Sequence, residues 1–149
     1  MMKTILTAMK ISISEVMETM FFLPVEYSER LAAKEVKMLK GKQNKACCLD
    51  FCGDFSGTVY LLVPSRFLRE MAENFMGEPG DLFGDEILEG TLTETVNMMS
   101  GNALRKLNAG SPFQLTVPRL IPGSEFPEGE GSIIVKTTGP EMAVHITLQ

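Results

Sequence analysis

In residues 91–107 a glutamate and an asparagine, Glu94 and Asn97, stand three positions apart. On a helix that spacing sets a carboxylate and a carboxamide one turn apart on a shared face. The chemistry open to such a pair is recognition, through one fixed negative charge and one neutral group that both donates and accepts hydrogen bonds. At about 100° of turn per residue, Leu88, Leu92, Val96, Met99, Ala103 and Leu107 gather along one line and form the expected buried stripe. Gly90, Glu94, Asn97 and Gly101 fall opposite, where small residues permit close approach of another backbone.

The composition removes most other chemistries. His145 is the only histidine and lies in the apolar run 143–148, read as a strand residue on a half-exposed face, so a histidine-based metal centre or a Ser/His triad has almost nothing to be built from. Cys47, Cys48 and Cys52 share one short segment without zinc-knuckle spacing, and read as reduced strand residues of a cytoplasmic protein. Asp81, Asp85 and Glu86 lack the alternation of a calcium loop. A net charge of −5 argues against nucleic acid or an anionic membrane surface. Lys34, Lys37, Lys40, Lys42 and Lys45 read as a solvated face. No secretory leader or membrane span is expected, and 149 residues are expected to form one domain.

The elements that must position the pair follow from pattern and punctuation. Residues 4–22 read as a helix ended by Pro24, whereas 25–45 fit neither helical nor strand period, with Leu31, Val36, Met38 and Leu39 as its apolar positions. Residues 46–52 and 58–63 read as a hairpin around Gly53 and Gly57. Ser65 is expected to cap a helix running to about Met76, with Phe67, Leu68, Met71, Ala72 and Phe75 facing the core. Asp85 is expected to cap the long helix, with Gly110 as its C-terminal cap. Residues 113–117, 132–138 and 142–148 read as strands, the last two joined at Gly139-Pro140. A weak repeat at 76 residues sets Val16-Met17-Glu18-Thr19-Met20 against Leu92-Thr93-Glu94-Thr95-Val96, with Phe21 where the second copy has Asn97, and Ser14 opposite Gly90.

The run Glu94-Thr95-Val96-Asn97-Met98-Met99-Ser100-Gly101 resembles the Glu-x-x-Asn signature helix of the CheC/CheX/FliY chemotaxis phosphatases. With Phe21 interrupting the first copy, the chain resembles the CheX type, which carries one functional copy. The resemblance implies an α+β fold in which one mixed, largely antiparallel sheet carries two long pseudo-symmetric helices on one face. It also implies hydrolysis of the aspartyl phosphate of a CheY-like response regulator. Asn97 would orient the attacking water and Glu94 would pair with the regulator's lysine; Gly90, Met98 and Gly101 would line the contact. No cofactor of the chain's own is implied, and Mg²⁺ is expected in the partner. Two positions depart from the family pattern: Gly90 stands where Asp or Ser is preferred, and Leu120, between Pro118 and Pro122, where a proline is expected.

Two other functions compete with the phosphatase. One is a module that binds a regulator or motor-switch component without hydrolysing anything, and the other is a structural partner that extends a sheet across a dimer. Residues 132–138 and 142–148 are long and nearly uncharged, so one of them is expected to pair with a second chain or to be covered, and a homodimer is expected.

Overall fold

The computed structural model describes residues 1–28, 32–107 and 112–149. In chain order these form α1 (Met2–Phe21), β1 (Glu26–Ser28), α2 (Ala32–Lys40), β2 (Asn44–Cys52), β3 (Gly57–Pro64), α3 (Ser65–Met76), α4 (Asp85–Leu107), β4 (Gln114–Leu115), β5 (Arg119–Ile121), β6 (Ser132–Lys136) and β7 (Glu141–Leu148). The strands make one antiparallel sheet in the order β1-β6-β7-β3-β2-β4, with β5 also on β2. The architecture is the expected α+β one.

Alternation along the strands sorts the sheet into two faces. Cys47, Leu49, Val59, Leu61, Val144 and Ile146 point into the main core beneath α1, α3 and α4. Ala46, Leu62, Ile134 and Ala143 point the other way, against α2 and Phe126. The helix α2 explains why 25–45 fits no period. Its buried residues are Ala32, Val36 and Leu39, a clean helical spacing that the exposed Met38 obscures, while Leu31 lies outside the described residues.

Other local readings need correction. Ser65 is the first residue of α3, not its cap, and no side chain caps that helix. Asp85 likewise begins α4 from within, and its carboxylate goes to Lys45 at 3.3 Å. The expected strand over 113–117 shrinks to two residues, and β5 forms where none was expected, because Pro118 breaks the edge strand between them. The proposed cap at Gly110 falls outside the described residues.

The nearly uncharged strands β6 and β7 are covered within the chain and are not edges. β7 lies between β6 and β3, and β1 covers β6 from Glu26↔Lys136 to Ser28↔Ile134.

His145 is also not half-exposed. It is 4 % exposed, packed against Tyr60 and Phe126, with Nδ1 bonded to Ser132 Oγ at 2.6 Å. Burial pushes its pKa down from 6.5 to about 4. The folded state thus holds the neutral imidazole, while the unfolded chain protonates first as pH falls. This contribution is intact above pH 6.5 and is lost as pH falls from 6.5 to 4, amounting to about 3 kcal/mol. Urea midpoints at pH 7 and pH 4.5 should therefore differ less in His145→Gln than in wild type; equal differences would remove His145 from the acid response.

Candidate functional site

α4 carries the pair, and the sheet fixes where it lies. Lys45 on β2 binds Asp85 at 3.3 Å and Glu89 at 3.1 Å, clamping the first turn of α4. Burial works to lower the Lys45 pKa, but the hydrogen bonds with Glu89 and Asp85 outweigh it and hold the ammonium charged. Farther along, Ser12 Oγ of α1 donates to the Met99 carbonyl at 2.6 Å. Leu88, Leu92, Val96, Met99 and Ala103 are buried as the stripe requires, joined by Thr95, Ser100 and Leu104, with Leu107 packed at the edge. Rotation of the helix is thereby set.

On the opposite side Gly90, Glu94 and Asn97 are exposed, Gly101 is half-buried, and Met98 is half-buried against the core. The hydroxyls of Thr91, Thr93 and Thr95 turn back to helix carbonyls, so they do not compete for this face. Among the described residues neither Glu94 nor Asn97 has a side-chain partner, which leaves both free for an outside molecule. Gly90 adds a second indication. A Cβ there would meet nothing within 4 Å, so no neighbour in the chain demands glycine at a helix-interior site, where glycine costs about 1 kcal/mol relative to alanine. The free space lies outward. A Cβ at Gly101 would likewise only graze Leu115 Cδ1 at 3.9 Å.

The first copy of the repeat does not reproduce this face. Glu18 is exposed, but Ser14 is half-buried and bonded to the Tyr27 hydroxyl, which in turn donates to the Lys10 carbonyl at 2.5 Å. Phe21 is buried in the main core. The expectation that α1 presents a parallel exposed face fails at Ser14 and Phe21, because α1 turns that side toward β1 and α3.

Sequence reasoning missed a groove beside Glu94. Its volume is about 220 Å³, and it is walled by Phe21, Phe75, Met76, Ile87, Met98 and Glu94. Phe75 was expected in the core; it is instead 52 % exposed, its ring 6.2 Å from that of Phe21. Asn74 Nδ2 donates to the Phe21 carbonyl at 2.7 Å, which locks the ends of α1 and α3 together as two walls. The available signal was the position of Phe75-Met76 directly before Gly77, whose left-handed conformation ends α3 where the core runs out.

Among the described residues, no group of three His, Cys, Asp or Glu side chains is placed to hold a metal ion, and no helix is long and apolar enough to cross a membrane.

The family model for the chemotaxis phosphatase CheX matches residues 45–138, which take in α4 and leave out α1. No curated protein sequence matches. Among solved structures the chain is similar to the chemotaxis protein CheX from Vibrio vulnificus, with 17% identity, 97% of this chain and 96% of that one covered, and a TM-score of 0.77. The CheX–CheY–BeF3–Mg²⁺ complex from Borrelia burgdorferi is similar at 19% identity over 97% of each chain, TM-score 0.70. FliY from Thermotoga maritima is more distant, with 14% identity, 95% and 84% covered and a TM-score of 0.59. At these identities the likenesses speak for the fold.

Proposed function

This chain belongs to the CheX family of chemotaxis phosphatases, and we propose that the exposed face of α4 is its working surface, with Asn97 orienting the attacking water and Glu94 docking the partner. Its substrate is the phosphoryl group on the aspartate of a CheY-like response regulator. The observation that carries the site assignment is that Glu94 and Asn97 are both exposed and unpartnered on a helix inside the matched segment. On α1 the position equivalent to Asn97 is the buried Phe21.

The chemistry suits these residues. A phosphorylated regulator supplies the phosphoryl group, its Mg²⁺ and a lysine, so the helper has only to hold a water in line with the bond that breaks. The water oxygen bonds to phosphorus as the bond to the aspartate oxygen breaks. The carboxylate leaves, and inorganic phosphate keeps the water's two protons. The Asn97 carboxamide oxygen accepts from that water, and because the group is neutral it enters an anionic site without repulsion. Glu94, one turn back, meets the regulator's lysine as a charge-assisted pair and sets the approach of the helix. Gly90, Met98 and Gly101 form the close contact around them. The Borrelia complex, a CheX bound to CheY with BeF3 and Mg²⁺, supports this arrangement of partner and metal.

Residues 1–149 act in this reading as one CheX-like domain of the cytoplasm, where phosphorylated regulators are found. The lifetime of the phosphorylated regulator with and without the protein tests the function. A lifetime left unchanged would favour the binding module.

A homodimer belongs to the same proposal, but not through β6 or β7. The sheet ends in β1 on one side and in β4–β5, outside β2, on the other, and it is beside β4–β5 that Val117 and Leu120 present apolar side chains to solvent. Pairing two such edges about a two-fold axis covers both and presents two α4 faces. Sedimentation at micromolar concentration should give twice the 16.4 kDa chain mass, and Val117→Lys should give the monomer. An active wild-type monomer would exclude dimerisation as a requirement.

A further inference from the structure

We propose that the groove between α1, α3 and α4 is a specificity pocket that takes one apolar side chain, aromatic or branched aliphatic, from the response regulator. The inference rests on the docking of the regulator at Glu94 and Asn97, and it assigns a second contact to the same surface. Glu94 belongs to both: among the described residues it is the one charged side chain walling the groove, so a partner whose cation meets Glu94 brings its neighbouring surface over the opening. Apart from Thr91, whose hydroxyl turns back to the Ile87 carbonyl, the remaining wall is apolar, with Met76 43 % and Phe75 52 % exposed and Phe21 as the floor. Two such side chains left in water beside a functional face mark an interaction site more readily than a packing defect, because Asn74 already fixes the groove's ends.

The size selects the occupant. The volume of about 220 Å³ exceeds the roughly 150 Å³ of an apolar cavity that accepts benzene. One ring or one branched aliphatic group fits, and a helix does not. Gly90 lines the same groove, and the space its missing side chain leaves is part of the opening.

The test measures binding of the CheY-like regulator loaded with beryllofluoride, a stable stand-in for the phosphoryl group, and separately the turnover of the phosphorylated regulator at saturation. Met76 is the last residue of α3 and tolerates a charged head group without disturbing the core. Met76→Glu and Met76→Lys should each weaken binding by about tenfold or more, since either charge must be desolvated where an apolar side chain sits. Saturated turnover should stay within about twofold of wild type. Wild-type affinity in both Met76 variants overturns the proposal. Weakening by only one sign of charge does so too, because it makes the contact electrostatic. Asn97→Ala separates this from the catalytic assignment: it should bind beryllofluoride-loaded regulator normally, and full hydrolysis by that variant would sink the role of Asn97 without touching the groove.

Discussion

Asn97→Ala should lose most of the phosphatase activity, roughly a hundredfold or more, while keeping the fold and the affinity for the regulator. The side chain is exposed and makes no hydrogen bond among the described residues, so its removal leaves no cavity and no orphaned partner. What disappears is an interaction formed only when water lies in line with the phosphoryl group, and such a loss falls on turnover. The half-life of the phosphorylated regulator, followed over a range of protein concentrations, reads both quantities. An alanine variant that shortens this half-life as wild type does would show that another group positions the water. Glu94→Lys provides the contrast: it reverses a charge that meets the regulator's lysine, so it should raise the concentration needed for half-maximal effect. An unchanged concentration dependence would remove Glu94 from the docking surface.

The parts of this fold that were legible in the sequence are those governed by local rules. Gly53 and Gly57 mark the β2–β3 hairpin, Gly139-Pro140 marks the β6–β7 turn, and the stripe from Leu88 to Ala103 sets the rotation of α4. Glu94 and Asn97 were therefore legible as an exposed pair, since a helix with one buried side fixes where the other points. Non-local packing decided the rest. Sheet order cannot be read from strand composition, so the sequence leaves open whether β6 and β7 pair with a second chain or are covered, and it is β1 and β3 that cover them. His145 looked half-exposed because nothing in its own strand shows that Phe126 packs over it. Phe75 obeys the helical period of α3 and still faces solvent, because it stands in the last turn of that helix, on the wall of the groove and not over the core.

Phe21→Asn should destabilise the protein by about 3–5 kcal/mol, and it should not create a second active face. The 76-residue echo sets Phe21 in register with Asn97, but the ring is 2 % exposed and packs into the main core. Its loss opens space beneath the groove, and the carboxamide that replaces it must be desolvated among Phe75, Ile87 and Met98, the groove's apolar walls. Against a typical stability of about 5–15 kcal/mol, the change is large enough to move the urea midpoint well outside error. Glu18→Ala, on the exposed side of the same helix, should leave turnover close to wild type, because no amide stands one turn on to orient a water. Wild-type stability in Phe21→Asn together with doubled turnover would mean that this side of α1 reaches solvent in the working protein. The asymmetry would then lie in the sequence alone and not in the packing. The bond from Asn74 to the Phe21 carbonyl argues for packing, since it pins α1 against α3 at the position where a second site would have to open.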